Sequence, residues 1–503
     1  MSKEYIDVPT FTTINDIEDR NFTLSATQYK TFNIKNKNVM TIRDFLNRDL
    51  NKKDQGNDPG GDAYVKKSNY IFIKTKALQS YSYLLDKTKE SIEYITPFVF
   101  KNQELKTGDI LISRDSNVGE IVILDKDYSN AMLCGGIYKL PISKNKYYLL
   151  AFIKNSIVRE QINFMVPRGS TLRHGKTIFL DCQIPMPNIN RDETILYIEN
   201  LMKAIINKEK EIQKKHEEIL KLIDNELKNN QKNNKFMFSL PKIKDIIELD
   251  RMDSALYTRE FKQKEFLITN YLYGTSTIEE LGFEKPSRGQ NLQVSNIGKS
   301  IYSSKKLKGY YRLILPKYLT KYGTVKIEEY IGNRNKLKIL EKGDIIFGAE
   351  GNEKGRSLVV LETQENAITN IHGVTLKQKK HDRTKGIFVK LFLDYMRNNG
   401  MIDEYAVGGN GGSLAIKYWK YLKFPNFPSE IEKSVTNLFF NDLEEYEINS
   451  KNIKEFIEFD NEYNKKAGIY ELDKSKIYLQ QLLDTAIEKI ANDEEVLIDF
   501  KKL

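Results

Sequence analysis

Four short loops carry the side chains best suited to bind another molecule. They lie at 113–117 and 168–176 in the first half of the chain and at 350–356 and 410–413 in the second half. Arg and Asn side chains can read the base edges of DNA through paired hydrogen bonds, whereas Lys, hydroxyl and backbone N–H groups bind phosphates. Glycine lets the backbone approach a phosphate closely. These residue types therefore predict contacts with DNA.

The candidate DNA contacts are Arg114, Asn117, Arg168, Ser170, Thr171, Arg173, His174, Lys176, Asn352, Lys354, Arg356, Asn410 and Ser413. Only 16 of the 79 basic residues are Arg, so an Arg in such a loop is a stronger candidate for a base contact than a Lys. The alternative for each loop is a solvated hairpin tip that contacts no partner.

The sequence contains none of the motifs that would supply a catalytic centre. It has no G-x-x-x-x-G-K-[ST] phosphate loop and no H-E-x-x-H metal motif. It also lacks the Asn-Pro-Pro-aromatic and Asp-Pro-Pro-Tyr elements of amino-methyltransferases. The cysteines, Cys134 and Cys182, form no C-x-x-C pair. The chain is therefore predicted to bind no metal and to have no active site of its own.

The composition sets limits on the class of protein. A chain of 503 residues predicts two or three domains, and a hydrophobic content of 40% excludes global disorder. The net charge of +10 is compatible with a nucleic-acid partner. No run of about 18 apolar residues could cross a membrane, and the start of the chain has no secretory signal pattern. We therefore expect a cytoplasmic protein.

The two halves of the chain share an ordered series of short motifs. Gly108-Asp109 and Gly343-Asp344 each precede an apolar strand, which is followed by a glycine loop and a second apolar run. The distance between matching positions grows slowly along the chain, from 254 − 25 = 229 through 343 − 108 = 235 to 425 − 185 = 240. Chance matches would not stay collinear in this way, so the sequence predicts a tandem duplication.

Heptad spacing marks a helical segment at 191–228. With Ile195 at position a and Ile198 at position d, seven of the ten seam positions are apolar and the rest of the segment is mostly charged. The pattern predicts a narrow coiled-coil seam, not a broad globular face. Polar Glu209 and His216 within the seam indicate either a device that fixes register or local fraying.

A second helical region follows Pro428. Ser429 with Glu432 three residues later predicts a capping box. A last helix is predicted at 473–492, after a more broken stretch from 449 to 468. The side chains expected to pack these helices or dock partners are Ile198, Met202, Ile205, Ile212, Ile219, Ile431, Val435 and Leu438.

Together these patterns predict an α+β fold built as a pseudo-two-fold repeat. Two tandem mixed α/β domains occupy 1–187 and 236–428, and their strands are short β-branched runs bounded by Gly and Asn turns. A central coiled-coil spacer helix lies at 188–235, and a distal helical, coiled-coil region lies at 429–503.

This double set, with a coiled coil after each copy, resembles the specificity subunit of a type I restriction–modification enzyme. The motifs that carry the resemblance are the Gly108-Asp109 and Gly343-Asp344 strand entries, the Gly169-Ser170-Thr171 and Gly412-Ser413 loops, and the Pro185 and Pro425 exits into helix. The resemblance covers nearly the whole chain. The departure is the long tail from Asn449 to Leu503.

The resemblance implies a non-catalytic subunit with two target-recognition domains, each reading one half of a split target in double-stranded DNA. Its helices would pack antiparallel as a spacer and dock two methyltransferase subunits, which would use S-adenosylmethionine. The full complex would add two nuclease/translocase subunits, which would use ATP and Mg²⁺.

Two other functions stay open at this point. The chain could be a stand-alone nuclease with two DNA-binding lobes, which predicts cleavage by the purified chain with Mg²⁺. It could also be an interaction scaffold that binds no DNA, which predicts no mobility shift even with a methyltransferase present.

The 168–176 loop allows a test that separates base contacts from phosphate contacts. If Arg173 reads a guanine edge, Arg173→Ala will cost roughly 1–3 kcal/mol and relax one target position. If Lys176 binds only phosphate, Lys176→Ala will weaken binding to all sequences alike and lower the salt slope by about one unit. Affinity for cognate and scrambled duplexes over a salt series checks both. An unchanged affinity and salt slope in both variants would make the loop a solvated tip.

Overall fold

The structure is a computed structural model, and it describes residues 5–19, 22, 24, 29–88, 90–165, 177–233, 235–362, 366–408, 411–448, 450 and 452–498. In chain order, helices α1 to α12 are Ile14–Asp19, Lys146–Ile153, Ser156–Met165, Arg191–Asn229, Ile243–Leu249, Arg259–Thr269, Val294–Ile297, Arg383–Asn398, Met401–Tyr405, Ser429–Phe439, Ile453–Lys466 and Ile469–Ala491.

In chain order, strands β1 to β21 are Ile6–Asp7, Thr31–Phe32, Val39–Thr41, Tyr64–Val65, Tyr70–Ile73, Ile92–Ile95, Ile110–Ser113, Ile121–Ile123, Ala131–Leu133, Ile137–Leu140, Gln183–Pro185, Thr275–Ser276, Ser287–Arg288, Ser300–Ser303, Tyr311–Leu313, Tyr330–Asn333, Ile345–Gly348, Ser357–Val359, Ala367–Ile368, Gly373–Leu376 and Phe424–Pro425.

Contacts divide the chain into two compact units. Unit 1 comprises residues 1–211, 445–465 and 472–503, and unit 2 comprises 212–444 and 466–471. Each unit therefore combines one globular block with parts of the helical segments, and α4 and α12 each contribute residues to both units. The predicted boundaries at 187, 235 and 428 stay predictions.

The sheets of the two units correspond in strand order, except that β13 adds a fourth strand to one sheet of unit 2. Unit 1 has a sheet with order β10-β7-β8 and a sheet with order β4-β6-β5-β9. Unit 2 has the orders β13-β20-β17-β18 and β14-β16-β15-β19. The sheets that end in β9 and β19 correspond to each other. In each, the edge pair, β5–β9 or β15–β19, is parallel, and the adjacent pair, β5–β6 or β15–β16, is antiparallel. The predicted α+β class and tandem repeat are thus confirmed by topology.

The predicted strand entries also hold. The Gly-Asp pairs lead directly into β7 and β17, and the two glycine loops lead into β8 and β18. Gly108 and Gly343 both have positive φ, at 83° and 94°, a conformation that favours glycine. Both central strands are fully buried because each is covered on both faces.

Helix α4 spans Arg191–Asn229, which agrees with the predicted segment. Nine of its ten seam positions are buried, and Glu226 is half-buried. The prediction of a narrow seam is nevertheless wrong for the first half of the helix, where Tyr197, Leu201 and Ala204 are buried beside the seam. In unit 1 that half packs in one hydrophobic cluster with α2, α3 and α12, so apolar surface is needed on more than one face.

The two polar seam residues of α4 are both buried within a continuous helix, which rules out local fraying. In unit 1 the Glu209 carboxylate accepts a hydrogen bond from the Tyr83 backbone N–H at 2.8 Å and one from the Ser82 hydroxyl at 3.0 Å. In unit 2 the His216 ring lies edge-on to Tyr322, and burial lowers the pKa of His216. Both therefore anchor the helix to its globular block.

A buried ion pair joins α4 to α11 in unit 1. The Lys208 ammonium lies 2.7 Å from the Asp460 carboxylate and donates to the Asn464 amide oxygen, also at 2.7 Å. Burial lowers the pKa of Lys208. Breaking such a pair by removing one partner is strongly destabilising, because the remaining charge is left buried.

The distal helices differ from the prediction in three respects. The predicted capping box is absent, since α10 begins at Ser429 with Pro428 as its N-cap. The broken stretch contains a regular helix, α11, and α12 begins at Ile469, four residues before the predicted start. Gly468 lies so close to the Phe439 backbone that a Cβ would clash, which explains why the chain breaks between α11 and α12.

The end of the tail is fixed to the N-terminal block of unit 1. The Asn36 amide donates to the carbonyl oxygens of Ile490 and Met186, and its backbone N–H donates to Ala491. Asn188 adds a hydrogen bond to Asp493 at 2.7 Å. The end of α12 is therefore held against the N-terminal globular block by hydrogen bonds.

A glycine at the same place in each unit lets two backbone segments meet. A Cβ on Gly56 would lie closer than 3.0 Å to the Cys134 carbonyl oxygen, and a Cβ on Gly289 would lie equally close to that of Asn370. These carbonyls are themselves equivalent, because 370 − 134 = 236 and 373 − 137 = 236 for the following strands.

This contact predicts an unequal effect of two alanine substitutions in one loop. Gly56→Ala is expected to destabilise unit 1 by about 1–3 kcal/mol, because the backbone has to move. Gly60→Ala, which meets no atom within 4 Å, is the control and should leave stability unchanged or slightly higher. Thermal unfolding of the full chain measures both, and equal melting temperatures would show that the close approach is no constraint.

Candidate nucleic-acid interface

Residues of both candidate loops of unit 2 line a cleft. It has a volume of about 950 Å³ and is formed where the chain leaves β17, where it turns from β19 into β20, and by Val407, Gly408, Gly412 and Ser413. Its polar and charged lining residues are Lys317, Glu350, Asn352, Glu353, Asn370, His372 and Ser413. Backbone hydrogen bonds hold the walls together: Gly351 N–H donates to Gly412, and Leu414 N–H donates to Ala349.

Glu350 and His372, which line this cleft, belong to a charged cluster whose third member, Arg288, lies outside the lining. The Glu350 carboxylate contacts the Arg288 guanidinium at 2.9 Å and the His372 imidazole Nδ1 at 2.9 Å. All three side chains are exposed. An exposed ion pair contributes little to stability, so the cluster costs little to open and can exchange its partners for those of a ligand. Lys317, also exposed, adds a further cation to the lining.

Two of the predicted contacts in unit 2 lie at the cleft and stay predictions, whereas two others are buried. Asn352 is exposed in the cleft, and Ser413 lines it. Lys354 is buried, with its ammonium bonded to the Gly411 carbonyl and to Asp403. Arg356 is 3% exposed and donates to the Leu319 carbonyl. Neither can reach a ligand in this conformation.

Gly355 stands between these two residues with a φ of 85°, two residues before the buried strand β18. On either side of it, the Lys354 ammonium donates to the Gly411 carbonyl and the Arg356 guanidinium to the Leu319 carbonyl. Both cations hold the loop in place instead of presenting charge to solvent. Their role is structural, which a polar loop composition does not reveal.

In unit 1 the equivalent loop holds Arg114 and Asn117, both half-buried. The Arg114 guanidinium lies 3.0 Å from the Asp115 carboxylate and over the Tyr138 ring. The Asn117 amide lies 3.4 Å from the Leu78 carbonyl oxygen. Both side chains are partly exposed, and these contacts fix their orientation.

The remaining candidates lie outside the described residues. These are Arg168, Ser170, Thr171, Arg173, His174, Lys176 and Asn410.

Corresponding positions in the two units carry different polar groups on the same frame. Asp115 and Glu350 both follow the central strand, at an offset of 350 − 115 = 235. Gln55 and Arg288 both precede the close-approach glycine. Gln55 donates to the Gly135 carbonyl at 2.9 Å, and Arg288 lies 3.4 Å from the equivalent carbonyl of Ile371. The frame is duplicated, whereas the hydrogen-bonding chemistry is not.

Sequence reasoning missed Arg288, Lys317 and His372. Arg288 stands in a stretch with the same composition as the 168–170 loop, an Arg followed by Gly amid polar residues, and this signal could have been found. Lys317 and His372 carry no such signal, because only folding brings them to the cleft.

The thiols are not candidates for nucleophilic chemistry. Burial raises the pKa of Cys134 to about 11 and that of Cys182 to about 12. Both are therefore protonated near neutral pH, and the thiol is a poor nucleophile. Among the residues that the structure describes, no group of three or more His, Cys, Asp or Glu could hold a metal ion. Within the same part of the chain, no helix is both long and apolar enough to cross a membrane.

No family model matches the sequence, and no curated protein matches it. Among solved structures, the chain is similar to the S subunit of a type I restriction-modification system from M. genitalium, with 12% identity, 91% of this chain and 96% of that chain covered, and a TM-score of 0.36. It is also similar to the HsdS subunit from Thermoanaerobacter tengcongensis, with 11% identity, 91% and 97% covered, and a TM-score of 0.27. A TM-score below 0.5 does not establish a common fold.

Proposed function

We propose that this chain is the sequence-specific DNA-recognition and scaffold subunit of a type I restriction–modification complex. One observation carries the proposal. Two units whose sheets correspond in strand order present the same loop frame with different polar side chains, as a reader of two unlike half-sites requires. Each unit reads one half of a bipartite target in double-stranded DNA.

The chemistry of the unit 2 cleft supports a DNA ligand. Arg288 offers a planar fork that matches the acceptors of guanine, and Asn352 offers an amide that suits adenine. Lys317 can bind phosphate as a point charge. The net charge of +10 favours approach to a polyanion.

The long helices support the scaffold role. Helix α4 has 39 residues, so at about 1.5 Å per residue it is a rigid rod of about 58 Å. Two methyltransferase subunits, with their S-adenosylmethionine, dock on the chain, and two nuclease/translocase subunits with ATP and Mg²⁺ complete the complex. The chain itself performs neither methylation nor cleavage.

The decisive experiment is reconstitution. The chain is purified with a co-expressed methyltransferase subunit and assayed for methylation of random-sequence DNA, and a bipartite methylated motif is the expected result. Cleavage of DNA by the chain alone with Mg²⁺ would favour the stand-alone nuclease instead. Absence of any mobility shift with the methyltransferase present would favour a scaffold that does not bind DNA.

Exchange of one block tests whether the units read independently. Replacing residues 1–187 with the corresponding block of another such chain should change one half of the methylated motif and leave the other half unaltered, because each block has its own sheets and loops. Sequencing of methylated sites reports both halves at once. A change in both halves would contradict independent reading.

Arg288 is expected to be a base reader of unit 2. Arg288→Ala should cost roughly 1–3 kcal/mol of cognate affinity and relax one position of one half-site. Compared with Arg288→Ala, Arg288→Lys should restore affinity for all sequences. It should not restore discrimination between cognate and mismatched duplexes, since Lys lacks the planar fork.

Arg334 supplies the control for this substitution. Neither arginine lines the cleft, but Arg288 is ion-paired to the lining residue Glu350 at 2.9 Å, whereas Arg334 is an exposed arginine elsewhere in the same unit, so Arg334→Ala should leave the motif unchanged. Binding of the assembled complex to cognate and single-mismatch duplexes measures the discrimination. Equal discrimination in wild type and Arg288→Ala would remove Arg288 from the readers.

A further inference from the structure

Each globular block is preceded by a short segment that exposes three large apolar side chains at matching positions, and the second segment also exposes Phe238. The first entry segment, residues 8–14, and the second entry segment, residues 237–243, match at one offset, since 237 − 8, 240 − 11 and 243 − 14 all equal 229. The exposed fractions are 54% for Val8, 82% for Phe11, 74% for Ile14, 82% for Met237, 77% for Leu240 and 76% for Ile243. Single exposed apolar residues are ordinary, but a matched triplet in both copies is not.

The backbone frame of the two entry segments is duplicated as well. Each segment ends at the first residue of a short helix, α1 or α5. The Thr13 backbone N–H donates to the Asp16 carboxylate at 3.1 Å, and the Lys242 N–H donates to the Asp245 carboxylate at 2.9 Å. The same acidic residue thus caps both helices at the same offset, 245 − 16 = 229.

Both entry segments are attached to their own units, so their exposure is not that of a loose end. Before the first, Ile6 is buried and β1 pairs with β2. Before the second, the Phe236 ring packs on Phe266 at 5.5 Å, and the Lys232 N–H donates to the Asn270 carbonyl. Each segment therefore presents its apolar side chains from a supported position.

The charge around the first entry segment excludes DNA as its ligand. Residues 5–19 contain four carboxylates and no Lys or Arg. A polyanion or an anionic lipid surface would be repelled there. The second entry segment contains Lys242 and is flanked by Lys235 and Lys244 instead, so the feature that the two segments share is the apolar triplet, and that feature suits a protein. Because the surface occurs once in each unit, the partner that fits is one that binds in two copies.

We propose that the two entry segments are docking surfaces, each for one copy of the methyltransferase subunit. The inference rests on the proposed function, which supplies a partner that binds twice. Phe11 and Leu240 are the anchors, since each is the middle member of its triplet. Both entry segments precede the globular blocks in the chain, and none of their residues lines the cleft of unit 2.

The test is the stoichiometry of the complex of the full chain with co-expressed methyltransferase, measured by native mass spectrometry. We expect two methyltransferases per wild-type chain, one for Phe11→Asp, one for Leu240→Asp and none for the double variant. Conservative Phe11→Leu and Leu240→Met should keep two. Ile301→Asp, which charges an equally exposed apolar residue on β14, is the control and should also keep two.

Because the substituted residues are exposed, the melting temperature of each free variant should equal that of the wild type. The inference would be overturned if the double variant still bound two methyltransferases. It would also be overturned if the substitutions abolished association of the chain with itself while the number of methyltransferases per chain stayed at two. Suppose that wild type binds two copies, that the double variant binds none, and that the wild-type complex methylates DNA independently of sequence. The proposed recognition function then fails and the docking inference stands. If the double variant keeps two copies and methylates a bipartite motif, the docking inference fails and the proposed recognition function stands.

Discussion

Burial of α4 against the globular blocks is the interaction on which the rest of the structure depends. In unit 1 its apolar residues belong to the same hydrophobic cluster as the β7–β8 sheet, α2, α3 and α12. Burying a large aliphatic side chain stabilises by roughly 1.5–3 kcal/mol, so this face of the helix outweighs any single polar contact. The helix continues as one element into residues that pack within unit 2.

Polar groups then determine how that helix is seated. Apolar packing is non-directional and would tolerate slippage along the helix. The Glu209 carboxylate accepts hydrogen bonds from Ser82 and Tyr83, and Lys208 is paired with Asp460. A buried charge without its partner is strongly unfavourable, so these contacts select one register. The same residues that interrupt the apolar seam give it its specificity.

The duplicated frame separates what each unit needs in order to fold from what it needs in order to bind. The positive-φ glycines before β7 and β17 and the close-approach glycines Gly56 and Gly289 occur in both units, because backbone geometry demands them. The groups presented on that frame differ, with Gln55 and Asp115 in one unit and Arg288 and Glu350 in the other. A common scaffold with different hydrogen-bonding groups is the basis of the proposed reading of two unlike half-sites.

The sequence by itself determined the duplication, the strand entries and the long helix, because glycine conformation, β-branched runs and heptad spacing act over a few residues. It also determined which residue types could bind DNA. Tertiary structure alone decided which of them are available. Lys354 and Arg356 are buried and donate to the Gly411 and Leu319 carbonyls, whereas Glu350 meets Arg288 across 350 − 288 = 62 residues of chain and His372 across 372 − 350 = 22. Exposure and such distant contacts depend on how whole elements pack, and no local pattern encodes that.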